Sequence, residues 1–232
     1  MKTIGLLGGM SWESTVSYYR ALNEGVKQAL GGLHSARIVM NSVDFADIEA
    51  LQKSGDWPET ARLLSKAAQS VEAGGADFLL IGTNTMHKVA PEIQAAISIP
   101  LLHIADATAE KLKADGVRHV GLLGTRYTME QDFYKGPMRD RYEMDVLVPS
   151  DDEQAMIHHI IFEELCLGVI RDESRQRYLK CIDHLHERGA EAIVLGCTEI
   201  ALLVGPEHTA VPLYDTAQIH AEEAVRLALM DL

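Results

Sequence analysis

The 232-residue chain is poor in several things. Its three cysteines, Cys166, Cys181 and Cys197, are odd in number and at least fifteen residues apart, which excludes the close pairs of zinc ribbons and redox motifs. Free thiols in a reducing cytoplasm fit that usage. Basic charge is scarce too: 21 Lys and Arg stand against 34 Asp and Glu, a net charge of -13. Such a surface repels phosphate backbones, so nucleic acid is excluded as a partner. No run approaches the ~20 apolar residues of a membrane span, which excludes a membrane anchor of that kind. Met1-Lys2-Thr3-Ile4-Gly5-Leu6-Leu7-Gly8-Gly9 is too short in its apolar part for a signal segment and reads as a first strand. Neither G-x-G-x-x-G nor G-x-x-x-x-G-K-[ST] occurs, leaving dinucleotide and nucleoside triphosphate sites without support. Ten histidines are present, but His158-His159 and His184-x-His186 lack i, i+4 pairing and fall in amphipathic helical segments, so no metal is assigned.

What is present is ordinary globular material, 47% apolar and 24% charged, in a length ~1.5 times that of a typical domain. Short apolar runs alternate with segments of helical period. The strands expected are Thr3 to Leu7, Arg37 to Asn41, Asp77 to Ile81, Pro100 to Ile104, His119 to Leu123, Met144 to Val148, Ala192 to Leu195 and Val211 to Leu213. Several are apolar along their whole length, which suits parallel strands covered on both faces, and the fold class is α/β.

An internal repeat refines this. Ile4-Gly5-Leu6-Leu7-Gly8 returns as Val120-Gly121-Leu122-Leu123-Gly124, Gly75-Ala76-Asp77 through Gly82-Thr83 as Gly189-Ala190-Glu191 through Gly196-Cys197, and Pro100-Leu101 as Pro212-Leu213. The offsets are 116, 114 and 112 residues, in the same order. Two pseudo-symmetric α/β lobes with mainly parallel sheets and an interlobe active-site cleft are therefore expected. Ligands of open α/β sheets bind beyond the carboxyl ends of strands, where these repeated landmarks fall.

At matching strand ends stand Gly82-Thr83-Asn84-Thr85 and Gly196-Cys197-Thr198-Glu199. Taken singly, Cys197 reads as a small buried hydrophobe, and Thr83, Asn84 and Thr85 as helix caps. Their equivalence by the repeat suggests a paired site, with Thr83 and Cys197 facing one ligand atom from opposite sides. Stereoinversion at carbon needs that arrangement, one group removing a proton and another delivering one. The Thr198-Glu199-Ile200 segment is expected to lower the thiol pKa through helix N-terminal N–H groups. Thr128-Met129-Glu130-Gln131 has the spelling of a capping box, and Asp151-Asp152-Glu153 that of a helix start.

The motifs Gly8-Gly9-Met10-Ser11-Trp12-Glu13-Ser14-Thr15, Gly82-Thr83-Asn84-Thr85-Met86-His87, Gly124-Thr125-Arg126-Tyr127-Thr128-Met129 and Leu195-Gly196-Cys197-Thr198-Glu199-Ile200 together make the chain resemble the aspartate/glutamate racemase superfamily over essentially its whole length. These racemases use neither pyridoxal phosphate nor metal. The resemblance, strongest toward bacterial aspartate/glutamate and broad-specificity amino-acid racemases, implies no cofactor, a small-molecule amino-acid substrate and a homodimer. It implies lobes of residues 1–102 plus 215–232 and 103–214, with a final helix from about Asp215 returning to the N-terminal lobe.

By the same resemblance Cys197 and Thr83 are the catalytic pair, Thr83 departing from the cysteine usual there. Met10, Ser11, Gln52, Asn84, Thr85, Thr125, Thr128, Cys166 and Thr198 would bind substrate, with Asn84, Thr85 and Thr198 on the α-carboxylate. Gln52 and Cys166 stand where dicarboxylate-specific relatives carry basic residues, so the range is expected to extend to neutral polar, homoserine-like side chains. Three rival readings stand beside this one: a hydantoin racemase or maleate isomerase type of relative, an amino-acid-binding regulatory protein derived from a racemase, and a cysteine hydrolase.

Overall fold

The computed structural model describes residues 1–230. Residues 231 and 232 of the expected N-terminal lobe lie outside the described residues. The chain divides into two compact units, residues 1–104 with 220–232, and residues 105–219.

The first unit runs β1 (Ile4–Gly8), α1 (Trp12–Leu30), β2 (Ile38–Ser42), α2 (Phe45–Ser54), α3 (Trp57–Ala73), β3 (Phe78–Ile81), a 3-10 turn (Thr85–Val89) and α4 (Ala90–Ala96). Its sheet is parallel, in the order β2-β1-β3. The expected fourth strand at Pro100 to Ile104 is corrected to a single parallel bridge, Leu79 to Leu101. Pro100 has no N–H to give to a ladder, and helix α5 (Ile104–Ala114) already begins three residues after Leu101.

The second unit contains α5 from Ala105, then β4 (His119–Gly124), α6 (Arg126–Glu130), α7 (Asp132–Tyr142), β5 (Asp145–Leu147), α8 (Asp151–Glu163) and a 3-10 turn (Leu165–Leu167). Then come α9 (Asp172–Glu187), β6 (Ala192–Gly196), α10 (Ile200–Leu203), β7 (Leu213–Asp215) and the start of α11 (Thr216–Leu229), whose residues from His220 belong to the first unit. This sheet is also wholly parallel, ordered β5-β4-β6-β7. Helix α8 starts where the acidic run marked it, with Ser150 and Glu153 forming a reciprocal capping box.

Each repeated landmark has a structural cause. A Cβ on Gly5 would come within 2.6 Å of Val71 on α3, and one on Gly121 within 2.9 Å of Leu185 on α9, so glycine lets a helix lie close on the first strand of each sheet. Gly75 and Gly189, at φ of 92° and 102°, end the helices before β3 and β6 in a backbone conformation that favours glycine. The acid two residues later then ties down the start of the neighbouring interior strand: Asp77 accepts the Thr3 N–H at 2.5 Å, and Glu191 accepts the His119 N–H at 2.9 Å. The Leu79 N–H donates to the Pro100 carbonyl and the Ile193 N–H to the Pro212 carbonyl.

Each unit has its own core. Leu7, Leu64, Val71, Leu79, Ile81 and Ile93 pack in the first, and Leu123, Ile160, Tyr178, Ile182, Leu185 and Ile193 in the second. Each such side chain contributes roughly 1.5–3 kcal/mol by leaving water. Among the described residues no helix is long and apolar enough to cross a membrane.

Candidate active site

In the first unit the candidates gather at neighbouring strand ends, where the Gly82 N–H donates to the Leu7 carbonyl at 2.9 Å. Beyond β1, Ser11 caps α1, its Oγ accepting the Ser14 N–H at 3.4 Å. Thr15 Oγ1 accepts the Gly9 N–H at 2.8 Å and donates to the Ser11 carbonyl at 2.9 Å, fixing the loop that carries buried Met10 and Ser11. Beyond β3, the half-buried Thr83 donates its N–H to the Ile81 carbonyl at 2.8 Å. Asn84 and Thr85 are buried at the start of the 3-10 turn, and the Asn84 side chain makes no capping bond there, so capping does not account for it. Gln52 comes from α2 and is also buried.

One turn after Thr83, the buried His87 Nδ1–H donates to the Thr83 carbonyl at 2.8 Å, and Nε2 accepts the Ile104 N–H at 3.2 Å. Those partners select the neutral tautomer with its proton on Nδ1. His220 is held likewise, Nε2–H donating to the Leu102 carbonyl and Nδ1 accepting the Tyr18 hydroxyl, each at 2.9 Å. The His87 ring lies 4.4 Å from His103 and 6.0 Å from His220, centroid to centroid. Burial first, then the neighbouring imidazoles, hold His87 well below its usual range, and burial brings His220 down to about 3.

In the second unit Gly124 of β4 pairs in register with Gly196 of β6, so the loops after these strands start side by side. Thr125 caps α6, its Oγ1 accepting the Thr128 N–H at 3.4 Å with the two hydroxyls 3.2 Å apart. This corrects the capping box expected to start at Thr128. Because β4 ends at Gly124, the helix begins at once and Thr128 lies inside it, fully buried. Cys166, in the 3-10 turn, packs against the same core cluster as Cys197.

Cys197 itself is only 7% exposed, Thr198 7% and Glu199 3%. The Cys197 thiol donates to Glu199 Oε2 at 3.0 Å, and Thr198 Oγ1 donates to the same oxygen at 2.8 Å. The expected lowering of the thiol pKa is therefore overturned: burial, then the Glu199 charge, push it well above its usual range. The Glu199 backbone N–H works the other way and is outweighed, and α10, at four residues, offers little dipole.

Within the first unit the fold thus brings together Met10, Ser11, Thr83, Asn84 and Thr85, and within the second Thr125, Thr128, Cys166, Cys197 and Thr198; Gln52 is buried on α2 of the first unit. His87 and Glu199 are the additions the sequence reading missed, although each lies within four residues of a candidate proton carrier. Among the described residues no group of three or more His, Cys, Asp or Glu side chains is placed to hold a metal ion.

Comparison with known proteins gives concordant matches. A family model described as Asp/Glu/hydantoin racemase matches residues 7–224. The chain is 52% identical to a candidate Asp/Glu racemase from Yersinia pestis, with a TM-score of 0.91 and coverage of 99% of this chain and 100% of that one. It is 32% identical to an aspartate racemase homologue from Pyrococcus horikoshii OT3, TM-score 0.84, covering 98% and 99%. It is also similar to the broad specificity amino-acid racemase of Bacillus subtilis (strain 168), 21% identical over 96% of each chain.

Proposed function

The chain belongs to the Asp/Glu/hydantoin racemase family, and on that premise we propose that it racemises L-aspartate and L-glutamate without cofactor, by two-base proton transfer at Cα. Cys197 takes the proton of the L-isomer and Thr83 serves the D face. One observation carries this reading: the two units share a strand order, and the residue after the glycine that follows the Leu7–Ile81 pair and its counterpart Leu123–Leu195 bears a transferable proton in each. The mechanism requires both groups to reach opposite faces of one Cα.

The barrier is the carbanion beside the α-carboxylate, lowered when donors neutralise that carboxylate as charge flows onto it. Asn84 and Thr85, beyond β3 in the first unit, and Thr198, beyond β6 in the second, carry polar side chains and are the residues we assign to it. A threonine hydroxyl donates readily but has no accessible anion near neutral pH, so the reaction from D-substrate is slow. The equilibrium is untouched, because enantiomers are isoenergetic and the directional preference lies in rates and binding. Gln52 and Cys166 are neutral, and a neutral donor holds a distal carboxylate less strongly than a cation does, which supports a range reaching homoserine-like side chains. The reading includes a homodimer, and a reducing cytoplasm, which suits the three free cysteines.

Proton NMR in heavy water tests it, with L-aspartate, L-glutamate, neutral amino acids and a hydantoin as substrates, without pyridoxal phosphate and with a chelator. Loss of the Cα proton signal with appearance of the D-isomer, abolished in Cys197→Ala, is expected. Exchange on the hydantoin alone would move the substrate to that branch. Binding of amino acids with no Cα exchange would replace the enzyme by a regulatory protein.

A further inference from the structure

We infer that Glu199 is the proton acceptor through which the Cys197 thiol becomes a base. The inference rests on the reading of Cys197 as the group that takes the L-substrate proton. The geometry is specific: Sγ–H points at Oε2 at 3.0 Å, and the Thr198 hydroxyl donates to that oxygen at 2.8 Å, orienting it. All three side chains are more than nine-tenths buried, so the proton leaving sulfur has this carboxylate as its hydrogen-bonded acceptor.

A thiolate beside an ionised Glu199 would bury two negative charges in contact, the situation that burial and the carboxylate both oppose. Moving the proton from Sγ to Oε2 avoids this, since the pair carries one negative charge before and after. In the forward direction the S–H bond breaks and an O–H bond forms on Glu199. The sulfur electron pair then takes the Cα proton, so that S–H re-forms, C–H breaks and the electron pair stays on the substrate. Both members of the pair are then neutral while the substrate carries the new charge, which favours the carbanion. Thr83 gives the opposite face a proton and recovers one from water, while Glu199 sheds its own to water. From D-substrate the order reverses: Cys197 delivers its proton to the carbanion and is restored from the Glu199 carboxyl.

Cys166 and the buried Tyr178 are neighbours of Cys197; burial holds the Tyr178 phenol well above its usual range, and its hydroxyl donates to the Ile157 carbonyl at 3.3 Å. Glu164, also near Tyr178, accepts from Ser174 Oγ at 2.6 Å and lies 3.8 Å from Arg171. Glu199 acts through Cys197 and is not itself placed on the substrate.

The test is Glu199→Gln, read in two ways. Iodoacetamide alkylation of Cys197 against pH, quantified on the Cys197 peptide, should move to lower pH because the adjacent charge is gone. Racemisation should move the opposite way, kcat falling about 100-fold with KM changed less than about threefold. More thiolate with less turnover is the signature of a lost acceptor. If thiolate abundance alone set the rate, the variant would be faster. Glu199→Asp keeps a carboxylate and should recover part of kcat, separating proton transfer from misfolding. An unshifted alkylation profile, or a kcat within threefold of wild type while Cys197→Ala is inactive, overturns the role of Glu199 and leaves the racemase reading standing. No Cα exchange by the wild-type protein overturns both.

Discussion

The two units build the same parallel sheet and finish it differently. In the first, the strand-end position holds a hydroxyl, Thr83, whose backbone carbonyl is gripped by a buried neutral histidine. In the second it holds a thiol, Cys197, bonded through the sulfur itself to a buried carboxylate. One brace fixes where a group sits and leaves its proton alone; the other acts on the proton. The scaffold repeats because helix stops, strand-start acids and close-packing glycines repeat. Chemistry can diverge because one side chain per strand end lies outside those constraints. The sheets differ in the same spirit, one ending in the β6–β7 ladder and the other in a single bridge at Leu101.

Removing one side should have the largest effect. Cys197→Ala is expected to lower kcat by at least about 1,000-fold, with the thermal midpoint moving by only a few degrees, since one sulfur is lost from a small side chain. Steady-state kinetics with circular dichroism melting checks both parts. Making the two sides alike should give the next largest effect: Thr83→Cys supplies a thiol base and should raise turnover of D-substrate about tenfold or more, with a smaller gain from L-substrate. Equal turnover before and after that change would break the paired-site comparison.

Acid should separate the units by stability. His220 binds a proton near 6.5 when unfolded but only at about 3 when folded, so the unfolded state holds more protons between those values. Its contribution is complete above pH 6.5 and falls by about 1.4 kcal/mol per pH unit on acidification toward 3, and His87 acts in the same direction. Urea unfolding from pH 7 to pH 4 should show the loss, and His220→Asn should flatten it. The smallest effect compares equivalent caps. Ser11→Ala and Thr125→Ala each remove the side-chain acceptor that starts a helix, and each should cost about 1 kcal/mol by urea unfolding.

Much of the fold was legible because it repeats. Gly5 and Gly121, Gly75 and Gly189, and Asp77 and Glu191 are constraints of backbone and packing, which leave the same letters wherever the same geometry is required. Reading was least secure at Pro100 to Ile104, where an apolar run looks like a strand until a helix start and a proline cut its pairing to one residue. The Thr128 spelling misled for a related reason: the cap belongs to whichever residue follows the last strand pair, and that is Thr125.

By itself, then, the sequence determined the α/β class, the two-fold repeat of one sheet plan and the equivalent strand-end positions of Thr83 and Cys197, since spacing and equivalence survive in a linear string. Tertiary structure, through burial, decided the electrical state of Cys197. The same Gly-Cys-Thr-Glu segment is compatible with a thiol activated by helix N–H groups or with one held protonated. Burial, which no neighbourhood in sequence encodes, and the 3.0 Å approach of the Glu199 carboxylate, two residues on, to Sγ select the second. His87 shows the same dependence, because its tautomer follows from the Ile104 N–H that folding brings to its other nitrogen.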